Sequence, residues 1–100
     1  MALLEVKTEW AVYKDCFLQV ARYQADNSRA IEIWNNEDGP IARITVCIAG
    51  SRLAEDETVI DTNNCPWAMD FIKQHSFGQA TGRMVRSGYC TYPVVKLKKA

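Results

Sequence analysis

One histidine in 100 residues leaves little of the side chain that acid–base catalysis uses most. That residue, His75, has no second histidine to pair with, and Cys16, Cys47, Cys65 and Cys90 contain no Cys-x-x-Cys spacing, so no zinc knuckle or thiol redox motif is present and no metal is expected. His75 falls in the last turn of a predicted helix, where a cation suits the dipole, and is expected to be a structural or surface residue. No Gly-Lys-Ser/Thr occurs, and Gly82 and Gly88 are separated by a strand-like run, which excludes a phosphate-cradling loop. No apolar run approaches bilayer-spanning length, and Met1-Ala-Leu-Leu runs straight into Glu5 without the apolar stretch of a signal peptide. The expectation is a cytoplasmic protein of a bacterial cell, with four free thiols and no membrane partner.

Acidic residues are also missing from one part of the chain: none follows Asp70. Residues 1–80 carry seven Lys or Arg against twelve Asp or Glu, whereas residues 81–100 carry five basic residues and no acid. The formal charge is zero, so dense acidic mimicry of DNA is unexpected, but a basic end beside an acidic body can attract an anion or complement itself. An apolar content of 48% with 24% charged residues excludes disorder, and the length suffices for one core. A single domain over residues 1–100 is expected, with a basic C-terminal tail at about 96–100 that includes Lys96, Lys98 and Lys99.

Alternation of Leu4, Val6, Trp10 and Val12 against Glu5, Lys7, Glu9 and Ala11 predicts a half-buried strand over residues 4–12. Lys14-Asp15 resembles a turn, and residues 16–24 suit a second strand. Asp26-Asn27-Ser28 is a turn cluster, residues 30–34 a strand with Ile31 and Ile33 on one face, and Asn35 to Pro40 a tight reversal. Residues 41–48 are expected to continue as one strand, Ile44, Val46 and Ile48 inward and Arg43, Thr45 and Cys47 outward. Residues 50–58 form a polar surface connection, followed by a short strand at 59–61. Pro66 fits a first helical turn, Asn63 and Asn64 suit capping, and Trp67, Phe71, Ile72 and His75 share one face of a helix that Gly78 stops. Residues 81–87 and 89–97 make a final hairpin, with Pro93 favouring an edge strand. The predicted class is α+β: a single antiparallel sheet of about six or seven strands, meander plus C-terminal hairpin, with one α-helix packed on it.

The predicted helix start is the strongest binding feature. Open N–H groups after Asn64 and the positive dipole end suit a phosphate or carboxylate, with forked donors from Arg83 or Arg86. Their three-residue separation places those arginines on opposite strand faces, so at most one makes direct contact. A competing reading has Asp61 and the two asparagines capping the helix themselves. The candidate ligand residues are Asn63, Asn64, Thr81, Arg83, Arg86, Ser87 and Tyr89; Tyr92 shares a face with Cys90 and Val94 and belongs to the core. Trp10, Trp34 and Trp67 are the aromatics whose exposure would mark a protein partner surface, and Trp34 is the candidate partner-binding residue. Cys65 at a helix start has a setting that lowers a thiol pKa, but no base is assured beside it. Glu55-Asp56-Glu57 has no fixed separation or burial to split its pKa values. No catalytic residue and no cofactor is expected.

The run Ile31-Glu-Ile-Trp-Asn-Asn-Glu-Asp-Gly-Pro-Ile-Ala-Arg-Ile-Thr-Val46, then Asp61-Thr-Asn-Asn-Cys-Pro66, Asp70-Phe-Ile72, Thr81-Gly82 and Ser87-Gly-Tyr-Cys-Thr-Tyr-Pro93, resembles a family of bacterial domains of unknown function common on phages, plasmids and conjugative elements. The resemblance covers residues 16–95 and departs after Pro93, where further aromatics are replaced by Val94-Val95-Lys96-Leu97-Lys98-Lys99. It implies a small α+β domain of mobile-element origin and carries no catalytic assignment. In that setting the leading expectation is a non-catalytic binding protein that inhibits a host defence protein or nucleoprotein, such as a CRISPR nuclease, by protein–protein contact. The alternatives are a binder that sequesters a phosphate-bearing small ligand, nucleotide or nucleic acid and, last, a Cys65-dependent enzyme.

Overall fold

A computed structural model describes residues 3–98 and places them in two four-stranded antiparallel sheets with one short helix. Of the expected basic tail, Lys96 and Lys98 are described, whereas Lys99 and Ala100 lie outside the described residues. In chain order the elements are β1 (Leu4–Lys7), β2 (Val12–Arg22), β3 (Arg29–Asn35), β4 (Gly39–Arg43), β5 (Thr45–Val46), β6 (Glu57–Ile60), α1 (Ala68–Gln74), β7 (Gly78–Ser87) and β8 (Cys90–Leu97). The first sheet runs β1-β2-β3-β4 and the second β5-β6-β8-β7.

The single sheet expected from the sequence is thus divided, and the division falls at Ile44. Its amide donates to the Ile31 carbonyl at 3.1 Å, while its carbonyl accepts the Asp61 amide at 2.8 Å. One residue therefore bonds to the first sheet through its N–H and to the end of β6 through its C=O. Thr45, expected outward, is only 3% exposed. Its Oγ1 accepts the Ile31 amide at 3.1 Å and lies 2.9 Å from the Tyr23 hydroxyl. Strict alternation cannot continue through a corner, so Ile44 and Thr45 are both buried.

Two further boundaries move for local reasons. The Thr8 hydroxyl accepts the amides of Trp10 at 3.2 Å and Ala11 at 3.1 Å, closing a loop that ends β1 and leaves Trp10 87% exposed. Lys14 and Asp15 lie inside β2 rather than in a turn: Asp15 has φ 57°, and the pairing of β1 with β2 shifts register there. This is a bulge, and Asp tolerates the left-handed conformation better than most residues. The turn at Asp26 forms as expected, its carboxylate accepting the Ser28 amide at 2.9 Å and hydroxyl at 2.6 Å. Asn35 closes the β3–β4 reversal by accepting the Asp38 amide at 2.6 Å.

The helix starts at Ala68, four residues after Asn64, and has no side-chain cap. Asp61 instead organises the preceding turn, accepting the Asn64 amide at 3.2 Å and side-chain N–H at 2.9 Å. Ser76, not Gly78, ends the helix. It adopts φ 57°, donates its amide to the Lys73 carbonyl at 3.2 Å, and lets the Phe77 amide reach the Ile72 carbonyl at 3.0 Å, a Schellman motif. Gly78 begins β7, where a Cβ would stand 2.5 Å from the Lys96 carbonyl oxygen and 2.9 Å from Val95 Cγ1. Close strand approach, rather than helix termination, is why glycine sits there. Pro93 lies in β8, an inner strand rather than an edge, but pairing with β6 stops at Val94, so its missing donor falls beyond that ladder.

Two apolar clusters follow from this layering. Val6, Cys16, Ile31, Ile33 and Ile44 of the first sheet and its corner meet Phe71 and Ile72 of the helix and Ile60 and Val95 of the second sheet. On the other face of the second sheet, Val59, Val85, Tyr92 and Val94 pack beneath Ile48 and Leu53. Residues 50–53 are thus a cover over the second cluster, and Ser51 within them is buried.

Thr45→Val should lower stability by about 1–3 kcal/mol, because the shape is kept while the buried Ile31 amide loses its acceptor. Thr45→Ser should keep most of the wild-type value in urea titration. Equal stability of the Val variant and wild type would show that the corner does not depend on that hydroxyl.

Candidate binding groove

A seven-residue helix is about 10 Å long and an eleven-residue strand about 37 Å. The helix therefore covers only part of the inner face of the β2–β3 hairpin. Leu18, Val20, Arg29 and Ile31 continue along that face past the helix end, and Val20 is left 57% exposed. Opposite them stand Leu97, Lys98 and the Glu55-Asp56 loop, with His75, Ser76 and Phe77 closing the end. Between these walls lies a groove of about 900 Å³.

Backbone bonds hold the walls in place. The Lys98 amide donates to the Phe77 carbonyl at 2.9 Å, and the Leu97 amide to the Asp56 carbonyl at 2.8 Å. The Phe71 ring packs 4.9 Å from the His75 ring and 5.7 Å from Phe77, while His75 Nε2 lies 3.3 Å from the Glu5 carbonyl. Thr58 donates to the Arg29 carbonyl at 2.8 Å, tying the second sheet to the first beside the groove. Arg29 is the unusual group. Its Nη1 is buried and has no hydrogen-bond partner among the described residues, a condition that native interiors rarely leave unexplained.

None of the residues selected from the sequence for ligand or partner binding lines this groove. Asn63 and Asn64 are exposed on the turn after β6, and the intended anion site at a helix start is not assembled there because the helix begins at Ala68. Thr81 stabilises a bulge in β7, donating to the Val94 carbonyl at 3.0 Å and accepting the Arg83 amide at 3.1 Å. Arg83 donates to the Arg52 carbonyl at 2.8 Å and to the Ser51 carbonyl, pinning the cover over the second cluster. Arg86, Ser87 and Tyr89 gather at the tip of the last hairpin, where Arg86 Nε donates to the Gly88 carbonyl at 3.3 Å and Tyr89 is fully exposed. Trp34 is half-buried, paired across strands with Phe17 and Pro40, and its buried Nε1 also has no partner among the described residues.

The sequence carried a usable signal for Arg29. Arg22 and Arg29 flank the Asp26 turn, so a hairpin there makes them cross-strand neighbours, with Val20 and Ile31 the next pair on the same face.

The thiols of Cys16, Cys47 and Cys65 are the opposite of activated. Burial, then Asp61 and Glu9, pushes the Cys65 thiol up to about 11, and the thiol donates to the Arg43 carbonyl at 3.6 Å. The lowered pKa expected of a helix-start cysteine is thus reversed, since Cys65 stands ahead of the helix, 5% exposed, beside acids. Burial also raises Cys16 and Cys47, with Asp15 and Asp26 respectively adding to it. All four cysteines lie among the described residues and are unbonded to one another. Among the described residues no three metal-ligating side chains converge, and no helix is long and apolar enough to cross a membrane.

A family described as a domain of unknown function, DUF4313, matches residues 17–100. No curated protein and no solved structure matches the chain.

The raised Cys65 pKa has a fixed sign in stability. The fold favours the neutral thiol, so this contribution is complete below the unfolded value of 9.0 and is lost as pH rises toward about 11. Urea titrations across that window should show wild-type stability falling more steeply than that of Cys65→Ala; parallel slopes would rule the thiol out as the cause. Arg83→Ala should cost about 1 kcal/mol and accelerate amide exchange in residues 51–56 while leaving the first sheet protected. Unchanged exchange in that segment would remove the pinning role.

Proposed function

Since the chain belongs to this family, whose description assigns no activity, we propose from the groove itself that it is a non-catalytic binding protein that captures its ligand between the two sheets. The observation that carries this reading is the buried Arg29 Nη1, unpartnered among the described residues, in a wall otherwise built of Leu18, Val20 and Ile31 and faced by Leu97. A concave, mostly apolar site with a few convergent polar groups is the usual form of a ligand pocket. The raised pKa of the buried Cys65 thiol speaks against the Cys65-dependent enzyme as the reading to propose. The proposed setting is the cytoplasm of a bacterial cell carrying a phage or other mobile element, as the signature Asp61-Thr62-Asn63-Asn64-Cys65-Pro66 and Ser87-Gly88-Tyr89-Cys90-Thr91-Tyr92-Pro93 suggests.

A second reading, inhibition of a host defence enzyme such as a CRISPR nuclease by protein contact, is favoured by different residues. Trp10 is 87% exposed at a loop tip, and Trp34 holds an indole N–H with no partner among the described residues. Tryptophans of this kind are frequent anchors of protein interfaces.

The two readings separate experimentally. N-phenylnaphthylamine, a neutral apolar fluorophore, should bind wild type and Trp10→Ala alike and lose its signal with Val20→Trp, which fills the groove from an exposed position. The reverse pattern, a host protein captured by wild type and Val20→Trp but not by Trp10→Ala, with no fluorophore binding, would replace the groove reading with the second.

A further inference from the structure

Arg22 and Arg29 are directly opposed on β2 and β3, so their side chains leave the same face of the first sheet. Like charges in that position destabilise an antiparallel pair. Among the described residues neither arginine forms an ion pair. Arg22 donates to the Asn27 carbonyl at 2.9 Å, which offsets part of the cost on its side. Arg29 Nη1 has no such acceptor and is shut away from water, a larger penalty for a charged donor than for a neutral one. Arg29 lines the groove, so a side-chain rotation that turns its guanidinium onto one negatively charged oxygen there removes both costs, and Lys98 on the facing wall adds a third cation nearby.

The charge of that ligand is limited by the opposite rim. Glu55 and Asp56 also line the groove, and among the described residues only Asp56 is offset, by Lys96 at 3.7 Å. Glu55 therefore repels a doubly charged headgroup more than a singly charged one. The remaining lining, Val20, Ile31, Phe77 and Leu97, demands an apolar body, and a volume of about 900 Å³ is within the range of small-molecule sites. We infer that the groove takes a monocarboxylic acid with an apolar body, its carboxylate on the Arg29 guanidinium and its chain along Val20, Ile31 and Leu97. This rests on the groove being the binding site.

Displacement of bound N-phenylnaphthylamine tests it with decanoate, decanol and decyl phosphate at one ionic strength. Decanoate should displace the probe at concentrations about 10-fold or more below those needed for decanol, as a charge-assisted bond requires. Decyl phosphate should be no better than decanoate. Arg29→Met should bind the probe as wild type does and abolish the preference for the acid, and Arg29→Lys should keep only part of it. Equal displacement by decanoate and decanol in wild type would overturn the carboxylate assignment while the groove reading stands, a result independent of whether either variant folds. A clear advantage for decyl phosphate would overturn the single-charge assignment, and failure of the probe to bind wild type would overturn both readings together.

Discussion

The Ile44–Thr45 corner is the constraint on which the rest depends. A backbone that enters it bonded to β3 leaves it bonded to the end of β6, and the Thr45 hydroxyl supplies the acceptor that the Ile31 amide needs inside the core. Because the sheets are joined there, Ile31, Ile33, Ile44, Ile60 and Val95 fall into one cluster under the helix. The interior bonds of the corner are worth little individually, but an unmet amide at that depth costs far more than an exposed one.

The same arrangement produces the groove. The helix spans only seven residues, so the part of the inner β2–β3 face that carries Leu18, Val20, Arg29 and Ile31 lines an open groove beside the corner. Arg29 sits where that face begins, secured through its carbonyl by Thr58 of the second sheet. Its backbone is thus fixed by pairing, and among the described residues its guanidinium forms no ion pair. The second sheet is, by contrast, covered on both faces, because residues 50–53 are drawn over Val59, Val85 and Val94 and held by Arg83. An arginine selected from the sequence for ligand chemistry serves structure, while one that drew no notice faces the groove.

Short-range signals in the sequence were dependable. The Asp26-Asn27-Ser28 turn, the reversal from Asn35 to Gly39 and the last hairpin are each determined within a few residues by side-chain bonds to the backbone or by a glycine with positive φ. Alternation placed Ile31 and Ile33 on one face, which is buried, and assigned Tyr92 to the core. Prediction failed where two local devices of the same chemistry compete. Thr8 and Asp15 carry loop and bulge geometry inside an otherwise alternating run, and Ser76 occupies the left-handed cap position that Gly78 was expected to fill. Asn63 and Asn64 have the composition of caps but belong to a turn organised by Asp61.

By itself the sequence determined an α+β chain of antiparallel strands with one helix, the lack of any ready-made reaction motif, and most of the turns, since these rest on contacts between residues close in the chain. Tertiary structure alone decided that there are two sheets, that the Cys65 thiol is raised rather than lowered, and that Arg29 lines a groove with residues near position 55 and with Leu97. Those outcomes depend on which distant segments exclude water from one another. Local propensity and periodicity carry no information about partners that lie dozens of residues away.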